Sequence, residues 1–227
     1  MTQATAISDR GLRRLPVVLS HLKELRQEGV TTVTCTPISE RLGCDATQIR
    51  KDLAACGAVG RPRTGYEIQH LIELIERFLG WTNVSEAFLA GAGNLGSALL
   101  GFDKFRTQQG LNIVAAFDTD PEKIGTTVHG VRVLALDKLS GLARRMHVRI
   151  GILAVPERVA QGVADSMIAG GMRALWNFTP RSLEVPDGVV LENADLSVSL
   201  GVLTAKLQRM LAQESDEPAS PRGNTQS

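Results

Sequence analysis

The sequence predicts an α/β protein: a small helical head with a hairpin, followed by a doubly wound parallel sheet and a single C-terminal helix. Three observations predict it. Between residues 12 and 56, three helical patterns surround a tight turn at Gly43. At residues 91–96 a glycine-rich run, GAGNLG, joins an apolar stretch to a helical one. From residue 87 onward, short apolar runs alternate with helical periodicity, as strand–helix–strand units do. With 227 residues, 43% of them hydrophobic, the chain is long enough to bury two cores.

The first helix is expected over Leu12 to Glu28, where Leu15, Val18, Leu19, Leu22 and Leu25 fall at helical spacing. Pro16 is tolerable there in a first turn, and Gly29 is the stop. A second, short helix starts with Thr36 as cap and Pro37 at its first position, and ends at Gly43. Asp45 caps a third, running from Ala46 to about Cys56 and ending at Gly57. The stretch Gly57 to Tyr66 holds three glycines and a proline, which forbids a helix and suits a small hairpin with Arg61 and Arg63 at its tip. Glu67 to Leu79 returns to helical periodicity. Together these read as a winged helix-turn-helix domain over residues 12–80, after a flexible N-terminus at 1–11.

The second domain, Rossmann-like and expected over residues 85–195, takes strands at Ala87–Ala90, Ile113–Phe117, Ile150–Val155 and Ala174–Asn177. Helices are expected at Leu95–Gln108 and Glu157–Ala169. The last helix, residues 196–212, carries Leu196, Val198, Leu200, Leu203, Leu207 and Leu211 on a broad stripe with nothing after it to cover them, so it should pack on a partner subunit. The tail 213–227 is nearly devoid of apolar residues and should be disordered. No apolar run of about 18 residues occurs and the N-terminus lacks the apolar core of a secretory signal, so a cytoplasmic protein with no membrane partner is expected.

Two patterns carry chemistry. In the third helix, Ile49 and Leu53 turn inward while Gln48, Arg50 and Lys51 stay outside; Gln suits adenine and Arg suits guanine in a major groove. Arg61 and Arg63 can reach phosphates or a minor groove. The net charge of the chain is only +1, but Arg41, Arg50, Lys51, Arg61 and Arg63 face only Asp45 and Asp52 between residues 41 and 66, and phosphates respond to local charge. In Gly91-Ala92-Gly93-Asn94-Leu95-Gly96, the first glycine allows a tight turn, the second lets a pyrophosphate approach the backbone, and the third lets helix pack on strand. Asp118, 22 residues beyond Gly96, is placed to bond an adenosine ribose and to repel a 2′-phosphate, which favours NAD(H) over NADP(H); it could also cap its own turn. Val155-Pro156 and Asn177-Phe178 end the later strands at the same edge, either bordering a nicotinamide or simply terminating strands.

The candidates for an enzymatic proton donor are poor. Tyr66 lies in the hairpin, and His129 and His147 fall in connecting segments. An oxidoreductase with a fused helical domain remains the alternative of another class, and a DNA-binding protein indifferent to redox state a third. Cys35, Cys44 and Cys56 match neither a CxxC pair nor a four-ligand zinc site and read as small apolar residues, with a thiol sensor at Cys44 and Cys56 as the sharper alternative.

In order, QIRKDL, GRPRTGY, GAGNLG, FDTDPEKIG, AVP and NFTP resemble the Rex family of redox-sensing transcriptional repressors over about residues 10–211. The resemblance implies a homodimer on near-palindromic double-stranded operator DNA, a swapped C-terminal helix, and NADH/NAD+ as regulatory ligand: DNA bound when NAD+ predominates, released when NADH binds. It assigns Gln48, Arg50, Lys51, Arg61, Arg63 and Tyr66 to DNA, Gly91 to Gly96 with Asp118 to the cofactor, and Asp195 to the dimer interface. Ser20 stands where relatives carry an arginine and Phe102 where they carry a tyrosine, which implies weaker discrimination between NADH and NAD+.

Overall fold

Residues 7–194 and 196–216 are described in a computed structural model of the chain. They divide into two compact units, residues 1–85 with 103–112 and residues 86–102 with 113–227. The segment 103–112, placed by the sequence in the second domain, therefore clusters with the first.

In the first unit, helix α1 (Asp9–Gln27) starts three residues earlier than expected because the Ser8 side chain accepts a hydrogen bond from the Gly11 amide. Pro16 thus lies inside the helix rather than in its first turn. A proline there costs about 3 kcal/mol, but burial of Leu15, Val18, Leu19 and Leu22, all at most 1% exposed, contributes roughly 1.5–3 kcal/mol each and outweighs it. Strand β1 (Thr32–Val33) leads to α2 (Cys35–Leu42), whose cap is Thr34 rather than Thr36, so Pro37 is its third residue. Gly43 ends α2 in the left-handed region (φ 63), as expected. Asp45 caps α3 (Ala46–Ala55), accepting from the Thr47 amide at 2.7 Å. Strand β2 (Tyr66–Glu67) pairs antiparallel with β1, and Glu67 caps α4 (Ile68–Phe78). Ile38, Ile49, Leu53, Leu71 and Ile75 close the core of this unit.

The second unit is built on a seven-stranded sheet. Its strands are β3 (Ser85–Ala90), β4 (Leu111–Asp118), β5 (Thr127–Val128), β6 (Val131–Ala135), β7 (Ile150–Leu153), β8 (Ala174–Asn177) and β9 (Val190–Asn193), in the order β5-β6-β4-β3-β7-β8-β9. In this sheet β5 pairs antiparallel with β6, while β3–β7, β4–β6, β7–β8 and β8–β9 are parallel. The chain lays strands to one side of β3 and then returns to the other, so a crevice opens at the C-terminal end of β3. Phe88 and Phe117 meet in the core with ring centroids 4.9 Å apart.

The helix expected over Leu95–Gln108 is two: α5 (Asn94–Leu100) and α6 (Lys104–Gln109). It breaks at Gly101, where the His129 ring packs so closely that a Cβ would meet it at 3.0 Å. Helix α7 (Leu139–Met146), preceded by a 3₁₀ turn at Leu136–Lys138, was not expected; α8 (Glu157–Ala169) has the expected bounds. Helix α9 (Leu196–Asp216) runs four residues past its expected end, into the segment expected to be disordered; residues 217–227, like 1–6 and Asp195, lie outside the described residues. Val198, Leu200, Val202, Leu203, Leu207, Met210 and Leu211 of α9 are 43–63% exposed in the single chain.

Candidate nucleic-acid interface and dinucleotide cradle

On the first unit, α3 buries Ile49 and Leu53 completely and exposes Arg50 and Lys51. Thr47 and the dipole of its amide hold the Asp45 cap below the usual carboxylate range. After α3 the chain crosses Gly57 (φ 84) and enters a tight loop in which Arg61 and Gly65 exchange both backbone hydrogen bonds, at 2.7 and 2.9 Å. Pro62, Arg63 and Thr64 form its tip, with Arg63 itself in the left-handed region (φ 66). Gly65 must be glycine: its φ is +80, and a Cβ would run into the Val33 carbonyl.

Arg50, Arg61, Arg63 and Tyr66 are brought together around one concavity of about 400 Å³, whose remaining wall includes Thr34 and Cys35. Three guanidinium groups beside an open cavity form a site for a polyanion. Tyr66 is half-buried, with its hydroxyl pushed up by burial and by the neighbouring Cys35; the ring fills space that a Cβ on Gly60 would need, so it also supports the loop. Lys51 is exposed on α3 but does not line this concavity.

Gln48 departs from expectation. It is half-buried, and its Nε2 donates to Asp52 Oδ1 at 3.3 Å. Asp52 is 3% exposed and accepts from Arg14 Nε at 2.7 Å; the Arg14 guanidinium is raised above its ordinary value by that bond. Neither Arg14 nor Asp52 was singled out from the sequence, although Asp52 stands one helical turn after Gln48, the spacing at which helical side chains meet. Cys56 donates its thiol to the Asp52 carbonyl at 3.4 Å, and burial, with Asp52, pushes its pKa up to about 11, so it stays a neutral thiol at ordinary pH. Cys35 is buried and Cys44 half-buried.

On the second unit, the three glycines behave differently from one another. Gly91 takes φ +94, and a Cβ on it would run into the Ala154 carbonyl. Gly93 caps α5, and a Cβ there would meet nothing of this chain. Gly96 lies so close to the strand that a Cβ would fall onto the Gly91 carbonyl oxygen. Backbone open at the second glycine, with tight packing at the first and third, fits a dinucleotide pyrophosphate. Ala92 is buried beneath the loop; Asn94 and Leu95 are exposed on the first turn of α5.

Of the two roles considered for it, Asp118 takes the turn cap, and it braces the glycine loop as well. Its Oδ1 accepts from the Asp120 amide at 2.9 Å, capping the turn, and its Oδ2 accepts from the Ala92 amide at 2.8 Å, bracing the glycine loop. Burial alone would raise its pKa, but those two amides and the Lys123 ammonium, 3.6 Å away, hold it below the usual carboxylate range. The negative charge next to the loop is therefore permanent at neutral pH. Lys123 was not foreseen; the turn folds it back to within 3.5 Å of Asp120 as well.

At the later strand ends, Val155 is half-buried and Pro156 exposed as the cap of α8. Asn177 is 1% exposed and fully committed. Its Nδ2 donates to the Arg181 carbonyl (2.9 Å) and to Asn193 Oδ1 (2.8 Å), while its Oδ1 accepts from the Thr179 amide (3.0 Å) and hydroxyl (2.7 Å). With both donors and both lone pairs used, the side chain ties β8 to β9 and offers a cofactor no side-chain hydrogen bond. Phe178 is half-buried against Trp176, with ring centroids 4.6 Å apart. His129 turns the β5–β6 hairpin and His147 caps α7 before β7 begins, so neither stands at the glycine loop. Ser20 is exposed on α1 and Phe102 is 47% exposed after α5; Asp195 lies outside the described residues.

Residues 82–181 match a family model described as "CoA binding domain", and residues 6–54 one described as "Putative DNA-binding protein N-terminus". The chain is 44% identical over 204 residues, 90% of its own length and 92% of the relative's, to the redox-sensing transcriptional repressor Rex of Bacteroides fragilis. Among solved structures it is similar to RSP, a Rex-family repressor. The RSP complex with beta-NAD+ and operator DNA matches at 34% identity and a TM-score of 0.84, covering 95% of this chain and all of that one. The RSP complex with beta-NADH matches at 33% identity and a TM-score of 0.83, covering 93% and 98%.

Proposed function

The chain belongs to the Rex family of redox-sensing transcriptional repressors, and from that premise we propose that it holds operator DNA when NAD+ predominates and releases it on binding NADH. It is a regulator and not an enzyme. The observation that carries the reading is the pairing, in one chain, of a three-arginine concavity beside an exposed recognition helix with a glycine cradle whose carboxylate is permanently charged. RSP, similar over nearly its whole length, is described with NAD+ and operator DNA together and separately with NADH.

Within this reading Arg50, Lys51, Arg61 and Arg63 engage DNA, with Gln48 reading a base and Tyr66 supporting the wing. Gly91, Ala92, Gly93, Asn94, Leu95 and Gly96 cradle the pyrophosphate, Asp118 faces the adenosine ribose, and Val155, Pro156 and Phe178 border the nicotinamide. The protein acts in the cytoplasm as a homodimer on a near-palindromic site. The apolar residues of α9, exposed in the single chain, are the surface supporting a swapped dimer, with Asp195 at the interface. Ser20 and Phe102, in place of an arginine and a tyrosine, weaken the difference between NADH and NAD+.

Selecting duplexes from a randomised palindromic library, then adding NAD+ or NADH at equal concentration and stated salt, tests it. Release by NADH alone is expected. Specific binding that ignores NADH would replace the proposal with a constitutive binder. The same titration on Ser20→Arg/Phe102→Tyr should sharpen the NADH response; an unchanged response removes that part.

A further inference from the structure

Helix α3 holds one charged side chain that DNA cannot touch. Asp52 is 3% exposed, yet it accepts from two elements: Arg14 Nε of α1 at 2.7 Å and Gln48 Nε2, one turn back on α3, at 3.3 Å. Space for its carboxylate is left by Gly11, where a Cβ would stand 2.7 Å from Asp52 Oδ1. The carboxylate is thus fixed from both sides.

We propose that Asp52 is a positioning residue for base readout: anchored by Arg14, it fixes which way the Gln48 amide points, and so sets sequence preference without contacting DNA. This rests on the reading of α3 as the recognition helix. A glutamine reads adenine by presenting one N–H and its carbonyl oxygen together, to N7 and to the N6 amino group. An amide rotated by half a turn presents them in the wrong order. An ionised carboxylate accepts and never donates, so Asp52 can hold Nε2 and cannot hold Oε1. One N–H of Gln48 is then spent on Asp52, and the second N–H with Oε1 remains for the base. A neutral amide at position 52 would accept either orientation.

The test compares library-selected base preferences for the native chain, Gln48→Ala, Asp52→Asn, the double variant, and Arg14→Lys, each with its thermal unfolding curve. The native protein should show one operator position favouring adenine by on the order of tenfold, the discrimination expected of one bidentate contact. Gln48→Ala and Asp52→Asn should each flatten that position alone, and the double variant should be no flatter than Gln48→Ala. Arg14→Lys, which keeps the charge pair but loses the Nε bond, should flatten it partly; this variant decides the matter if Asp52→Asn does not fold. A uniform loss of affinity with the adenine preference intact would make Asp52 merely structural and overturn the proposal. If Gln48→Ala changes no position while Arg61→Ala still weakens binding, the proposal falls and the DNA-binding function stands. If the native protein selects no duplex, both fall.

Discussion

The winged head and the glycine cradle achieve ligand complementarity by opposite means. In the head, the proposed DNA contacts are made by atoms that are present: guanidinium groups of Arg50, Arg61 and Arg63 around an open concavity. In the cradle the proposed cofactor fit comes from atoms that are missing, since Gly91 and Gly96 leave no room for a methyl and Gly93 leaves open space. The head should therefore lose function in graded steps as charges are removed. The cradle should lose it abruptly when one carbon is added.

The largest effect should come from Gly96→Ala. A Cβ there falls on the Gly91 carbonyl, an overpacking that costs about 1–3 kcal/mol and displaces the loop. NADH affinity, followed by intrinsic or cofactor fluorescence, should fall by roughly a hundredfold, about 2.8 kcal/mol, while DNA binding persists and no longer responds to NADH. Retained NADH affinity would erase the contrast. Next is Arg61→Ala/Arg63→Ala: the slope of log affinity against log salt should drop by about 2, so the variant loses roughly tenfold less affinity than the native chain between about 50 and 200 mM salt. Its NADH titration should be unchanged.

Asp118→Asn should be milder, because the Ala92 and Asp120 amides retain an acceptor. The preference for NADH over NADPH should shrink roughly tenfold, about 1.4 kcal/mol; an undiminished preference would mean the charge does not select. The smallest effect is in pH. The Asp118 pKa is depressed on folding, so its contribution is present above the unfolded value of about 3.9 and is lost as pH falls through the folded value. The Cys56 pKa is raised to about 11, so its contribution is present below the unfolded value and is lost as pH rises toward the folded one. Thermal melts should thus show the cradle weakening at the acid edge and the head at the alkaline edge, and Cys56→Ala should remove part of the alkaline loss, with the raised Tyr66 hydroxyl keeping the rest, and leave the acid edge unchanged.

The same contrast explains what could be read from the residues alone. The cradle was legible because a glycine pattern states a local backbone requirement, which Gly91 and Gly96 meet, while Gly93 leaves open space. Capping was legible at Asp45 and ambiguous at Thr34 and Thr36, two like residues two positions apart. At Asn177 and Gln48 the partners Asn193 and Asp52 were not legible, because a residue's address is in the sequence but its neighbours are brought near only by the fold. The β5–β6 hairpin was missed although His129-Gly130, both at positive φ between two short β-branched runs, is the sort of two-residue turn such hairpins use. The split at Gly101 depended on a histidine 28 positions away and had no local signal beyond the glycine itself.

The placement of β3 between β4 and β7 sets an order in time. The helices of the head meet through short connections, but β3 pairs with β7 through Ala87 and Ile150, so the central sheet waits on a long loop closing and is the slower step. During synthesis the helices of the head emerge first, but the compact unit they belong to also takes in residues 103–112, so it is complete only after β3 and the glycine loop have been made. A chain stalled before residue 150 would carry half a sheet with an exposed strand edge, the form most prone to aggregate.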